Sequence, residues 1–158
     1  MENYTKLNVT IELDTFYQEF LKSYFKTKKG ATFAFPKRHE LNQILELGLQ
    51  KQPKNYKPKD YGQKTFKILI PYISWKDVRT YNYISKRIEI VLRRHIISFF
   101  RIIFHEEMNK LATLNLQKKE RVEIFIVNYN INPKYYDRLI KDYQRYIVSL
   151  RRIKSKKK

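Results

Sequence analysis

Cysteine is missing from all 158 positions. Its absence excludes disulfides, thiolate metal sites and cysteine nucleophiles, and leaves the redox compartment undecided. Glycine occurs three times, at Gly30, Gly48 and Gly62. None sit close enough to build a phosphate-cradling loop, which removes P-loop and Rossmann nucleotide sites. Acidic residues are scarce: 15 Asp and Glu stand against 34 Lys and Arg, a net charge of +19. The acids include no Asp-x-Asp pair or acidic trio to seat Mg²⁺ for phosphoryl transfer. No apolar run reaches the ~18 residues of a membrane span. The longest, Ile96 to Phe104, is interrupted by Arg101. The first ten residues, MENYTKLNVT, lack a signal peptide's basic start and apolar centre. The expectation is a cytoplasmic chain with no membrane partner.

What is present is aromatic and basic. Aromatics make up 15 % of the chain, too many for a wholly disordered basic protein. The length suits one core, so a single domain is expected over 1–158. Within it, residues 1–75 read as a strand, helix and loop part, 77–152 as a helical part, and 153–158 as a basic tail. Positive charge grows along the chain. Residues 1–60 carry 11 basic and 7 acidic groups, 61–115 carry 10 and 4, and 116–158 carry 13 and 4. Local density of this kind favours phosphate neutralisation over a general solubility coat.

Hydrophobic spacing predicts the elements. Tyr4 to Leu13 alternates Leu7, Val9, Ile11 and Leu13 with polar residues, a half-buried strand. Asp14 is placed to cap a helix running to about Phe25. A strand followed at once by a helix also begins ribbon-helix-helix proteins, but no second helix follows promptly. His39 to Leu49 reads as a short helix, with His39 itself in an exposed loop after Pro-Lys-Arg. Gln50 to Gln63 reads as a long loop or extended arm with Tyr56 and Tyr61 among lysines. Thr65 to Ile73 reads as a strand limited by Pro71. From Asp77 to Leu114 there is no glycine or proline, which predicts one long helix or two with a bend. Its stretch Ile96–Phe104 is central core or a homo-oligomer seam. Gln117–Tyr129 and Pro133 to about Arg152 read as the last two helices. The fold class is therefore mainly α with a small N-terminal β element.

The most informative stretch is Val122 to Lys141. Asn130 stands at a turn position usually held by glycine, and Asn tolerates the left-handed conformation needed there. Phe125, Tyr129, Ile131, Tyr136 and Leu139 then fall on the positions expected to be buried. Asn132 falls at an N-cap and Pro133 at the first helical residue. Over these twenty residues the chain resembles the helix-turn-helix DNA-binding family. Ile126 departs from that pattern, which places a small residue where the helices touch. A plain helical hairpin is the alternative. The resemblance implies a recognition helix from Pro133 to Arg152, with an inward stripe of Tyr136, Leu139, Ile140, Tyr143, Ile147 and Leu150. It implies that Arg138 reads guanine, Asn132 reads adenine, and Lys134, Lys141 and Arg145 hold phosphates. Tyr135, Arg151 and Arg152 complete that candidate surface.

Weaker signals lie elsewhere in the chain. Arg87, Arg94 and Arg101 repeat every seven residues, with Ser98 and His105 on the same side. They form either a stripe that follows a nucleic-acid backbone or the wet face of an amphipathic helix. His105-Glu106-Glu107 lacks a second histidine one turn away, so a structural histidine outweighs a metal ligand. Tyr135 and Tyr136 near Arg138 and Arg145 lack the accompanying cluster of a tyrosine transesterase. The reading is a nucleic-acid-binding protein, duplex DNA favoured, of regulatory or accessory type as in phages and mobile elements. No enzyme activity, metal or cofactor is expected. It would be nucleoid-associated, or within a virion if structural. The alternatives are a structural or assembly protein with a basic surface, and an RNA binder with Tyr56 and Tyr61 as stacking groups.

Overall fold

The alternation of Val9 and Ile11 is realised in the computed structural model, which describes residues 7–156. Strand β1, Asn8–Glu12, pairs antiparallel with β3, Thr65–Leu69, in the register Val9 to Ile68 and Ile11 to Phe66. Those four side chains are buried on one face. Strands β2, Gln50–Lys51, and β4, Tyr81–Tyr83, form a second antiparallel pair. Five α-helices accompany them among the described residues: α1, Thr15–Tyr24; α2, Glu40–Gly48; α3, Lys86–Ala112; α4, Lys118–Asn128; and α5, Tyr136–Ser155. The chain is mainly α with a small β element. Residues 4–6 of the expected first strand, and Lys157 and Lys158 of the basic tail, lie outside the described residues.

The chain gathers into two compact units, up to Ile97 and from Ser98. In the first unit, Asp14 caps α1 by accepting from the Phe16 amide, 3.3 Å. Phe16, Phe20 and Leu21 recur at helical spacing and are buried with the sheet residues. Phe33 adds a parallel bridge at Ile68, and its ring lies 4.9 Å from Phe35 and 5.0 Å from Phe66. Leu41 and Leu45 give α2 its buried side. At its last residue, a Cβ on Gly48 would overlap Cγ2 of Ile88 on α3. Glu89 is also buried, and its Oε1 accepts from the Glu12 amide at 2.9 Å and from Lys86 Nζ at 3.2 Å. A carboxylate placed there is compensated rather than stranded.

In the second unit, Phe100, Phe104 and Met108 recur every four residues along α3 and are fully buried. Phe104 meets Phe125 of α4 at 4.9 Å and Tyr143 of α5 at 6.2 Å, both edge-on, an arrangement aromatic rings favour. Arg121 donates to the Tyr143 hydroxyl at 2.7 Å and to the Leu116 carbonyl at 2.8 Å.

Several expectations are corrected. The long helix starts at Lys86, not Asp77. Asp77 instead accepts from the Arg79 amide and the Thr80 hydroxyl, closing a turn that leads into β4. Local side-chain bonds of this kind compete with helix, and tyrosines at 81 and 83 favour extended backbone. The start of the Gln50–Gln63 arm is a strand. His39 is a cap, half-buried, whose Nδ1 accepts from the Leu41 amide at 3.2 Å. Burial holds its pKa below the ordinary histidine value, with Glu40 opposing. In the Ile96–Phe104 stretch only Ile96, Phe100 and Phe104 are fully buried, while Ile102 is 56 % exposed.

Candidate nucleic-acid interface

The turn between α4 and α5 sets up the candidate surface. Asn130 adopts φ +48°, the left-handed conformation expected of it. The Asn130 amide donates to the Val127 carbonyl at 3.2 Å, and the Ile131 amide to the Ile126 carbonyl at 3.0 Å. These two bonds make a Schellman closure of α4. Ile126 and Ile131, the residues such a closure brings together, are both buried. The bulky Ile126 is thereby accounted for: it supplies the apolar half of the helix stop. Asn132 then accepts from the Lys134 amide at 3.0 Å, and Pro133 opens a single 3₁₀ turn, Pro133–Tyr135, that runs into α5.

The candidate residues are distributed as follows. Asn132 commits its Oδ1 to the cap. Lys134 is exposed, its ammonium 4.9 Å over the Tyr135 ring, which is half-buried. Arg138 is half-buried rather than on the open side. Lys141, Arg145, Arg151 and Arg152 are exposed. Arg145 pairs with Asp142 at 3.3 Å, an exposed pair that contributes little to stability. Arg87 and Arg94 are exposed on the α3 segment of the first unit, and Arg101 on the α3 segment of the second.

Lys141, Arg145, Val148 and Arg152 share one face of α5, with Gln144 and Ser149 beside them, and this face is an open surface. From Lys141 to Arg152 it extends about 16 Å. From Tyr136 to Lys156, seven basic residues stand against Asp137 and Asp142. The positive charge in the last turn also suits the helix dipole, but that effect fades within one turn and does not account for Lys141 or Arg145.

On the opposite side, Leu139 and Tyr143 are buried as expected, but the inward stripe outruns its cover. Leu150 is 37 % exposed, and Ile153, 54 % exposed, borders the open basic face itself. Val148, at 45 %, sits among the cations of the open face. Spacing alone could not separate a covered stripe from an overhanging one.

His105 stacks on Tyr146, and among the described residues no three His, Asp or Glu side chains gather as a metal site would require. No described helix is long and apolar enough to cross a membrane. No protein-family model matches the chain, and neither a curated protein nor a solved structure does.

Proposed function

We propose that the protein binds nucleic acid, duplex DNA in the first place, through the open basic face of α5, in a regulatory or accessory role. The observation that carries this reading is the alignment of Lys141, Arg145 and Arg152 on one exposed helix face in a chain of charge +19. The Asn130–Pro133 turn fixes where that helix begins, in the manner of a helix-turn-helix. Duplex DNA carries one charge per ~1.7 Å of axis, so a rigid row of cations displaces several counterions at once. Lys134, in the 3₁₀ turn before α5, is exposed as well, Arg138 is half-buried, and Arg151 is exposed about 100° round the helix from Arg152.

The test is duplex affinity measured across a salt series. Changing Lys141, Arg145 and Arg152 together to Ala should flatten the log–log slope by about 0.9 for each phosphate that is no longer neutralised. An unchanged slope would refute this face as the interface. The exposed Leu150 and Ile153 favour a second reading, an assembly protein whose α5 meets a partner. That reading gains if light scattering shows a stable complex of copies that Ile153→Ser dissolves.

A further inference from the structure

The segment between β3 and β4 carries two of the most exposed aromatic rings in the described chain. Tyr72 is 80 % exposed and Trp75 is 61 % exposed. They are not on a loose strand. Ile73 between them is buried, and the neighbouring Lys76 is held in place by its own bonds. Its ammonium donates to the Glu46 carbonyl at 3.1 Å and the Leu49 carbonyl at 2.8 Å, closing the C-terminal end of α2. The same ammonium lies 4.8 Å from the Trp75 ring centre and 5.6 Å from that of Tyr81. Lys51 also approaches the Tyr81 ring, at 5.8 Å. A corner of the first unit is thus built of rings and cations together: Trp75, Lys76, Tyr81, Lys51.

The tyrosines that the sequence offered for stacking are already occupied. Tyr56 packs edge-on against Tyr83 at 4.8 Å, and Lys86 lies over Tyr61 at 5.4 Å. Residues 50–83 hold eight basic residues and only Asp60 and Asp77. Both acids close their own turns, Asp60 on the Gly62 amide and Thr65 hydroxyl, Asp77 on Arg79 and Thr80.

We infer that this corner binds unpaired nucleic acid, with Trp75 stacking on a base, Tyr72 three residues earlier in the chain offering a second exposed ring, and Lys51 and Lys76 supplying positive charge for the phosphates. Every base has a π-face, and aromatic rings between lysines bind single strands with little regard to sequence. A second copy of the chain is disfavoured as the occupant, because the surface would meet its own positive charge. Leu47, 74 % exposed between the two carbonyls that hold Lys76, adds an aliphatic side chain to this corner, so a lipid surface is the competing occupant that the vesicle titration tests. The surface belongs to the first unit, so it stands or falls independently of the α5 reading.

Trp75 is the only tryptophan in the chain, so its emission reports this corner alone. The full-length protein is titrated with oligothymidylate and oligouridylate of about 15 nucleotides, with a duplex of equal length, and with anionic vesicles. The expected result is saturable quenching by either single strand, and weaker or no quenching by the duplex. Labelled-strand anisotropy should show about a tenfold affinity loss for Trp75→Ala or Tyr72→Ala, and near-native binding for Trp75→Phe. Quenching by one oligonucleotide and not the other assigns the corner to DNA or to RNA. Both rings are exposed, so a thermal melt should confirm that the variants stay folded. Strand binding that leaves Trp75 emission unchanged would overturn the inference. So would equal quenching by duplex, or a blue shift with vesicles and no response to either strand.

Discussion

His105 of α3 and Tyr146 of α5 stack face to face, with ring centres 3.7 Å apart and planes 8° from parallel. Asn109 donates to the Tyr146 hydroxyl at 3.0 Å and fixes that ring. Burial pushes the His105 pKa below its ordinary value, the Arg101 charge adds to this, and Asp142 partly offsets it. The fold therefore favours neutral imidazole, and the unfolded chain binds the proton more readily. Stability from this site is full above the ordinary histidine pKa of about 6.5 and is lost as pH falls from there toward the lowered folded value. His105→Phe keeps a ring on Tyr146 but has no proton to gain. Denaturation at a series of pH values should show the native protein losing stability on acidification faster than this variant. Parallel curves would remove His105 as a source of acid sensitivity. His39 and the carboxylates other than Asp142, whose charge acts on His105, act in both proteins and cancel in the comparison.

Phe104 stands where all three helices of the second unit contribute a ring or an apolar side chain. Phe104→Ala should cost about 3–5 kcal/mol, the range for deleting a fully buried phenylalanine. Ile102→Ala, two residues away and mostly exposed, should change stability by no more than about 0.5 kcal/mol. Urea unfolding of the pair separates the two sides of α3. Similar losses for both would mean that the exposed side is covered.

Asn130 tests the helix stop. Asn130→Val forces a β-branched side chain into the left-handed region and should cost at least about 1–2 kcal/mol. Asn130→Gly relieves that strain at the expense of a more flexible unfolded chain, so its melting temperature should stay near native. A Val variant as stable as the native protein would show that the turn readily finds another conformation.

The two roles proposed on α5 predict different signatures. Lys141→Ala should weaken all duplexes about equally, whereas Arg138→Ala should cost about 1–3 kcal/mol at one preferred base pair. Competition between a selected site and a scrambled duplex at fixed salt distinguishes them. Equal losses on both duplexes for Arg138→Ala would reduce it to a backbone contact. No loss for either would move the interface to Arg87, Arg94 or Arg101.

Much of the backbone was legible because single residues dictate it. Asp14 caps α1, Asn130 turns left-handed, and Asn132-Pro133 opens the last helix, all from local chemistry alone. The failures lie where distant groups compete with local preference. Tyr81 and Tyr83 became a strand because Gln50 and Lys51 were there to pair with them. His39 is the exception, a local feature passed over: it caps because Glu40 begins a helix whose Leu41 amide needs an acceptor. The reach of the α5 stripe beyond its cover depends on where the other elements stop, which no periodicity records. The basic face was readable as a count of charges. The exposed corner at Trp75 was not, because nothing in Ser-Trp-Lys-Asp says that Lys76 will be held by the carbonyls of α2.

In descent, position 48 is tied to position 88. The end of α2 approaches α3 so closely that any side chain at Gly48 meets the Ile88 methyl. A chain that drifts to alanine or serine at 48 has to shorten the residue at 88 in the same lineage or open the gap between helices. The two alignment columns should therefore change together. The constraint is local, one missing Cβ at the end of α2 against one methyl near the start of α3.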